Sequence, residues 1–250
     1  MGSTRRRPIT IVCISDTHGQ HQVLDLPRGD ILIHAGDFTY FGRTEAQVSA
    51  FAAWIAAQPF RHIILVAGNH ELAFDPATGG RLAHGGGDGQ RSSKGENWLR
   101  LAWARLSADH CHYLENAGVV LEGIKFFGAP QQPPFTDMAF NVEGEANRAE
   151  FWSAIDDDTE VLITHCPPHA VCDQAHGDYL GCRALAERVG QLRSLKLHVF
   201  GHIHEAYGKA QRDDGMWSVN ASICDWTHRP ANQPVSVVAT SDRPWSIVRT

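Results

Sequence analysis

Several features are missing from this sequence of 250 residues, and each absence excludes a class of protein. No apolar run approaches the ~20 residues that a membrane-spanning helix needs. The first residues contain three arginines and lack the apolar core of a signal peptide, so no secretory leader is predicted. The six cysteines form no Cys-x-x-Cys pair and show no regular spacing. Reduced thiols, and with them a cytoplasmic location, are therefore predicted.

Positive charge is also scarce. The chain has 22 Lys and Arg against 28 Asp and Glu, a formal net charge of -6, and no basic stripe. Such a surface repels long polyanions, so we predict no dedicated nucleic-acid binding. A small anion still fits, because a bound metal ion reverses the charge locally. With 43% hydrophobic residues and neither repeat nor linker, residues 1–250 are predicted to form one globular domain.

What the sequence does contain is an alternation of strand-like and helix-like segments. Several short apolar runs are continuous, as is typical of strands covered on both faces. These runs are Ile9–Ile14, Ile31–His34, His62–Val66, Val161–Ile163 and Leu197–Phe200. Between them, Thr44 begins a capping-box pattern that predicts a helix, which ends before Pro59. The alternation predicts an α/β fold.

Three further regions carry their own predictions. Short strand-like runs at 216–219, 235–238 and 246–248 are separated by turn residues and predict a second, more antiparallel sheet. Residues 1–8 are predicted to be a flexible N-terminus. The polar, Gly-rich stretch 78–95 predicts a loop, for which disorder is favoured over a lid.

Each of the five apolar runs ends in residues that can bind a metal ion. Histidine is the commonest protein metal ligand, and the 15 His of this chain outnumber its 11 Phe. In open α/β sheets, ligands bind outside the carboxyl ends of the strands, so these five ends are expected to meet at one edge. The candidate ligands are Asp16, His18, Asp37, Asn69, His165, His202 and His204. Among the other histidines, those predicted to be surface or packing residues are His21, His62, His84, His110, His112, His169, His176, His198 and His228.

The spacing and type of these residues suit a shared metal centre. Asp16 and His18 are two residues apart, as are His202 and His204, and side chains at i and i+2 of extended backbone point to one side. A glycine precedes three of the ligand motifs and allows a sharp turn with close approach. Carboxylate, imidazole and amide oxygen without thiolate favour Mn, Fe or Zn, and argue against a Cys-rich structural zinc site.

Together, these motifs resemble the calcineurin-like metallophosphoesterase superfamily, and within it the metallophosphoesterase-domain-containing (MPPED) group of class III phosphodiesterase-like proteins. The resemblance extends from about Ile9 to about Ser222. The motifs that carry it are Asp16-x-His18, Gly36-Asp37, Gly68-Asn69-His70-Glu71, Thr164-His165 and Gly201-His202-x-His204. It implies an α/β fold in the form of a four-layer α/β/β/α sandwich with two central mixed sheets.

The resemblance also implies two metal ions, with manganese favoured and iron, zinc, nickel or cobalt as alternatives. The ligands of the first ion would be Asp16, His18, Asp37 and His204. Those of the second would be Asp37, Asn69, His165 and His202. Asp37 would bridge the two ions. His70 would be the catalytic histidine beside the substrate phosphate, and Asn69 would share in catalysis and substrate binding.

Three positions bear on how far the resemblance holds. Most superfamily members have an Asp where this chain has Tyr40, and that Asp orients the histidine corresponding to His70. Many members have Asp where this chain has Glu71. Some relatives carry Gly at the position of His202, so the histidine here implies a complete second metal site.

The implied function is hydrolysis of small phosphodiesters through attack by a hydroxide that bridges the two metal ions. The first candidate substrates are 2′,3′-cyclic and 3′,5′-cyclic AMP. Two alternatives remain open, a phosphomonoesterase such as a protein phosphatase and a non-catalytic metal-binding scaffold of the same fold. A nuclease of long nucleic acids is disfavoured by the net charge of -6. No oligomeric state is predicted.

Overall fold

The structure is a computed structural model, and it describes residues 7–40, 44–75, 77–78 and 110–248. The predictions for the N-terminus and for the Gly-rich stretch therefore lie almost wholly outside the described residues. Within the described ranges, no helix is long and apolar enough to cross a membrane.

Two six-stranded sheets and one small hairpin form the frame of the described residues. The strands, numbered in chain order, are β1 (Ile9–Ile14), β2 (Ile31–His34), β3 (His62–Leu65), β4 (Cys111–Tyr113), β5 (Ala117–Leu121), β6 (Ile124–Ala129), β7 (Val161–Thr164), β8 (Gln174–Ala175), β9 (Asp178–Tyr179), β10 (Leu197–Phe200), β11 (Gly208–Gln211), β12 (Trp217–Asn220), β13 (Val235–Ala239) and β14 (Ser246–Val248). Strands β8 and β9 form the hairpin.

Both large sheets are mixed. The first has the order β14-β13-β1-β2-β3-β4, in which β1 to β4 are parallel and β13 and β14 are antiparallel additions. The second has the order β11-β12-β10-β7-β6-β5, with a parallel centre and an antiparallel strand at each edge. Parallel strands end at the same edge of a sheet, so each sheet presents several strand ends together.

The first helix begins where its capping-box pattern predicts. The described α-helices are α1 (Glu45–Ala56), α2 (Glu145–Ser153) and α3 (Arg183–Gln191). At the start of α1, Thr44 Oγ1 accepts a hydrogen bond from the Gln47 backbone N–H at 3.3 Å, which satisfies one free donor of the first turn. Val48, Phe51 and Ile55 lie on one face of α1 and are fully buried.

Alternate residues of the central strands face different layers. Ile11 belongs to the apolar cluster between the two sheets, whereas the next residue, Val12, packs in the cluster beneath α1. On the far side, Leu162 of β7 packs with Trp152 and Leu185 from the two helices α2 and α3. The layers are therefore helix, sheet, sheet, helix, and the predicted four-layer α/β/β/α sandwich with two mixed sheets is confirmed.

The prediction for the last fifty residues was wrong in its pairing. These strands form no sheet of their own: β12 lies parallel to β10 in the second sheet, and β13 pairs antiparallel with β1 in the first. The turn residues favoured antiparallel neighbours, and β13 and β14 do pair antiparallel. What the prediction missed is that β13 also covers the open side of β1, which otherwise would leave a row of unpaired backbone groups at a buried edge.

Candidate metal centre

The carboxyl ends of five parallel strands meet at one edge of the sandwich. Strands β1, β2 and β3 of the first sheet end there beside β7 and β10 of the second. Backbone contacts connect the two sheets at this edge, since the Ser15 N–H donates to the Ala221 carbonyl at 2.9 Å. All seven predicted ligands and His70 therefore lie around one centre, as the positions of their strands predict.

Two glycines allow these side chains to approach each other. A Cβ atom on Gly68 would stand 2.2 Å from Asp37 Oδ1, and one on Gly201 would stand 1.9 Å from Asp16 Oδ2. Real Cβ atoms do not come that close to an oxygen, so any larger residue would displace a candidate ligand. The glycines before Asn69 and His202 thus make space for carboxylates from neighbouring strands.

Four candidate ligands occupy backbone conformations that L-residues rarely adopt. The φ angles are 51° at Asp16, 42° at His18, 54° at Asp37 and 69° at His202. Each such residue costs about 1–3 kcal/mol and persists only where the surrounding structure holds it in place. The positive φ at these strand ends aims the side chains inward, so the strain is located at the centre itself.

The first group of converging atoms comes from Asp16, His18 and His204. His204 Nε2 lies 3.1 Å from His18 Nε2 and 3.2 Å from Asp16 Oδ1. His204 Nδ1 donates a hydrogen bond to the carbonyl of Asp225 at 2.9 Å. In neutral His204 this bond leaves a lone pair on Nε2, pointing at the other two side chains, as a metal ligand requires.

The second group comes from Asn69, His165 and His202. Asn69 Oδ1 lies 2.8 Å from His165 Nε2 and 2.8 Å from His202 Nδ1. His165 Nδ1 donates to the carbonyl of Ala35 at 3.0 Å, so neutral His165 also turns a lone pair inward. Two acceptor atoms at 2.8 Å repel each other unless a cation or a proton lies between them.

Asp37 lies between the two groups. Its Oδ2 atom is 3.8 Å from His18 Nε2, and its Oδ1 atom is 3.4 Å from His165 Nε2. One carboxylate oxygen therefore faces each group, which is the arrangement that a bridging ligand needs. The carboxylate, imidazole and amide donors fit hard-to-intermediate divalent ions. Among the described residues, the buried Nδ1 atom of His18 has no hydrogen-bond partner.

The ionisation of these groups depends on burial and on the charges of their neighbours. Burial opposes charge at Asp37, yet the positive charge of His165 holds the pKa of the carboxyl well below its usual range. Burial likewise opposes charge on His165 and His204, but Asp37 and Asp16 respectively raise the pKa of each imidazole to about 9. Burial lowers the pKa of His202 to about 3. Protons on two of the four histidines thus stand where metal ions would bind.

His70 has an orienting partner that the sequence did not reveal. Its Nδ1 atom hydrogen-bonds the backbone carbonyl of Tyr40, and its Nε2 atom lies 3.9 Å from Asp37 Oδ2. The position at which most superfamily members have an Asp therefore still orients the histidine, through its main chain. The substitution by Tyr40 leaves His70 held beside the centre.

Glu71 supports the site through hydrogen bonds to the loops around it. Its Oε2 atom accepts hydrogen bonds from the backbone N–H of Asp37 at 2.8 Å and of Gly68 at 2.7 Å, and its Oε1 atom accepts from the Thr39 N–H at 2.9 Å and hydroxyl at 2.8 Å. Burial and then the charge of Asp37 raise the pKa of Glu71 to about 8, while these four donors favour its ionised form. Glu71 thereby joins the loops that follow β2 and β3.

Sequence reasoning missed the mouth of the site. His228, predicted to be a surface or packing residue, has its ring centroid 4.4 Å from that of His18. Trp226 and Phe135 line the same cavity, and neither was singled out. The turn that contains Asp225 gives no periodic signal, so its direction is visible only in the structure.

Two histidines that were predicted to be surface or packing residues make packing contacts. His21 packs against Phe51, and His198 forms a hydrogen bond with Thr164.

Replacing Glu71 by Gln tests this supporting role. In the Glu71→Gln variant, one oxygen becomes an NH₂ group that cannot accept hydrogen bonds from two donors. We therefore expect the free energy of unfolding to decrease by about 2 kcal/mol. Loss of this support is also expected to weaken metal binding about 10–100-fold. Urea unfolding and metal titration measure the two effects. The matched control is Glu150→Gln on the exposed surface of α2, and equal stability of both variants would contradict the assignment.

The raised pKa values predict that metal affinity increases with pH. His165 and His204, with a pKa of about 9, are protonated at neutral pH in the metal-free protein and must lose those protons to bind metal ions. We expect the affinity of each site to increase about tenfold per pH unit between about pH 6.5 and 8.5, and to level off above the pKa. Calorimetric titration in buffers of different ionisation enthalpy measures affinity and proton release together. Equal affinity across this range, without released protons, would overturn the expectation.

Comparison with known proteins agrees with this geometry. A family model described as calcineurin-like phosphoesterase matches residues 9–206, which include all seven candidate ligands and His70. The human metallophosphoesterase domain-containing protein 1 is 35% identical over 231 residues, which cover 90% of this chain and 69% of the human protein. A UPF0046 protein of Caenorhabditis elegans is 34% identical over 227 residues, which cover 91% of this chain and 74% of that protein.

Solved structures share the fold at low sequence identity. A Thermus thermophilus protein has a TM-score of 0.54 at 13% identity, covering 86% of this chain and 89% of its own. A dimetal phosphatase from Danio rerio has a TM-score of 0.50 at 14% identity, covering 94% of this chain and 93% of its own. The resemblance seen in the motifs is thereby confirmed by family, relatives and fold, and the chain belongs to the calcineurin-like phosphoesterase family.

Proposed function

We propose that this metal-dependent phosphoesterase hydrolyses small phosphodiesters, with 2′,3′-cyclic and 3′,5′-cyclic AMP as the first candidate substrates. The observation that carries the proposal is that two groups of lone-pair atoms lie on either side of Asp37 and that one cavity opens onto both groups. Such a pair suits two metal ions on one phosphate, and the cavity, about 450 Å³ in volume, is the size of a small-molecule site.

In this proposal, one ion would be held by Asp16, His18, Asp37 and His204. The other would be held by Asp37, Asn69, His165 and His202. When bound, the two ions supply a water molecule that ionises near neutral pH and positive charge that offsets the charge developing on the phosphoryl oxygens. Manganese is the favoured metal, because the donors combine carboxylate, amide and imidazole without thiolate.

The residues around the ligands position them for this chemistry. The carbonyls of Asp225 and Ala35 fix the tautomers of His204 and His165, so both imidazoles offer Nε2 to the centre. Asp37 faces both groups and keeps them in one geometry. His70, held by the Tyr40 carbonyl, borders the cavity and is proposed to contact the phosphate and to transfer a proton to the leaving oxygen.

The charge of the cavity favours a diester over a monoester. Among the described residues that line it there is no Lys or Arg, and Glu205 adds a carboxylate. A phosphodiester carries one negative charge, whereas a monoester carries nearly two at neutral pH. Without a guanidinium or ammonium to pair with the second charge, the site suits the monoanion.

One observation disfavours each of the alternative functions. A phosphomonoesterase or protein phosphatase would gain from a cationic side chain beside the second charge. A non-catalytic scaffold has no need of a complete ligand set, yet all seven ligand positions and His70 carry metal-binding or proton-transferring residue types. Both alternatives make different predictions for turnover.

A pair of nitrophenyl esters separates the diesterase from the monoesterase. With Mn²⁺ present, we expect kcat/KM for bis(p-nitrophenyl) phosphate to exceed that for p-nitrophenyl phosphate about tenfold, comparable to the ~1 kcal/mol by which two unit charges about 4 Å apart interact in water. A chelator is expected to abolish both activities. Absorbance of released nitrophenolate measures them. Faster monoester turnover supports the phosphatase, and a fully metal-loaded protein without any turnover supports the scaffold.

The bridging role of Asp37 predicts a distinct pattern of metal loss. Asp37→Ala removes a ligand from both sites, so we expect this variant to bind neither ion and to lose activity to background. His202→Ala and His204→Ala each remove a ligand from one site and serve as comparison variants that keep the other ion. Metal analysis of the purified variants measures the content. One ion fully retained in Asp37→Ala would exclude the bridge.

A further inference from the structure

The cavity that leads to the candidate metal centre has an apolar rim, defined here as Phe135, Leu180 and Trp226. These three side chains line the cavity and are large and exposed, with Trp226 at 71% and Phe135 at 52% of full exposure. The described residues include five other large exposed hydrophobics, and none of them lines this cavity. Exposed apolar surface that gathers at one site, rather than singly over the molecule, marks a place where something binds.

Phe135 is held against the second group of ligands. Its backbone N–H donates to Asn141 Oδ1 at 3.1 Å, and Asn141 Nδ2 donates to the Thr136 carbonyl at 2.8 Å. The ring of Phe135 stands edge-on to the ring of His202, with centroids 5.5 Å apart and planes at 89°. A substituent attached to a phosphate at the second group would therefore lie next to Phe135.

Trp226 is held beside the first group by the turn that begins at Asp225. The Asp225 carboxylate accepts hydrogen bonds from the Thr227 N–H at 2.8 Å and hydroxyl at 2.6 Å, and from the Arg229 N–H at 3.1 Å. The carbonyl of the same residue accepts from the ligand His204. The position of Trp226 is thus fixed relative to the metal centre, although its side chain is open to solvent.

Exposed apolar side chains on a backbone that is held in place suit a flat, apolar group. Aromatic side chains stack on any planar ring, because each ring has a π-face, and they lose little conformational entropy in doing so. The described residues of the cavity offer no Lys or Arg, so a second phosphate or a carboxylate would find no partner. The rim therefore suits an uncharged ring and disfavours an acidic substituent.

We propose that Phe135 and Trp226 form a binding subsite for an uncharged planar ring, a nucleobase or an aryl group, carried by the phosphate ester whose phosphate lies at the metal centre. This inference rests on the proposed diesterase function and names the class of diester that the site selects. The family model matches residues 9–206, so Trp226 lies beyond the matched part of the chain.

Two ligands that differ only in the ring test the subsite. The first is 2′,3′-cyclic AMP, and the second is 1,4-anhydroribitol 2,3-cyclic phosphate, which has the same sugar and cyclic phosphate but no base. Each competes with bis(p-nitrophenyl) phosphate on the Mn²⁺-loaded protein, so a ligand is measured whether or not it is hydrolysed. We expect the ligand with the base to inhibit at about tenfold lower concentration, the contribution of one base stacked on an aromatic side chain.

Variants then assign the preference to the rim. Trp226→Ala and Phe135→Ala are each expected to remove most of the preference without changing inhibition by the ligand that lacks a base, whereas Trp226→Phe retains most of it. The matched control is Tyr179→Ala, an equally exposed aromatic residue of the β8–β9 hairpin that does not line the cavity. Thermal unfolding of the variants is expected to match the wild type, because both side chains are exposed.

Each outcome decides between the two proposals. If bis(p-nitrophenyl) phosphate is not hydrolysed, the proposed function fails, and the subsite fails with it. If it is hydrolysed but both cyclic phosphates inhibit equally, the function stands and the subsite is wrong. If Trp226→Ala weakens both ligands by the same factor, the side chain supports the loop and does not contact the ring, which also overturns the proposal.

Discussion

Lone-pair atoms converge on both sides of the Asp37 carboxylate, and this convergence is the constraint that the rest of the site accommodates. His165 Nε2 and Asn69 Oδ1 are 2.8 Å apart, and His18 Nε2 and His204 Nε2 are 3.1 Å apart. Acceptors at these distances are unfavourable without a cation or a proton between them. Burial opposes a charge on His165 and His204, yet the carboxylates of Asp37 and Asp16 respectively raise the pKa of the two imidazoles, so a proton can also supply the positive charge that these groups favour. The centre is therefore built for positive charge, and metal ions compete with protons for it.

Holding such a centre together requires rigid support, which two packed sheets provide. The strained backbone at Asp16 and Asp37 directly follows strands whose side chains are buried on both faces, so neither strand end can relax without disturbing the core. Glu71 adds a second constraint by joining the loops after β2 and β3 through four hydrogen bonds. Preorganisation of this kind keeps ligands in place before an ion arrives. The packing of the core therefore also determines the positions of the candidate ligands.

The candidate ligands could be predicted from sequence because they follow recognisable strands in a fold that gathers strand ends. Other features had no local signal. The carbonyl that orients His70 comes from Tyr40, and any residue type supplies a carbonyl, so no sequence pattern marks it. The pairing of β13 with β1 joins residues more than 200 positions apart, and turn residues describe only the nearest neighbours. Trp226 was missed because an exposed aromatic residue in a turn belongs to no periodic pattern.

The turn around Asp225 carries both a support of the candidate ligand His204 and a side chain of the proposed ring subsite. Its backbone carbonyl fixes the tautomer of His204, and its carboxylate accepts from Thr227 and Arg229. None of these bonds uses the side chains of Trp226 or His228. The main chain of the turn supports the ligand, and the side chains at its two intervening positions face the cavity. A different residue at either position would change the lining of the cavity while the hydrogen bond to His204 stayed intact, so the proposed substrate choice and the proposed metal binding would be separable within one turn.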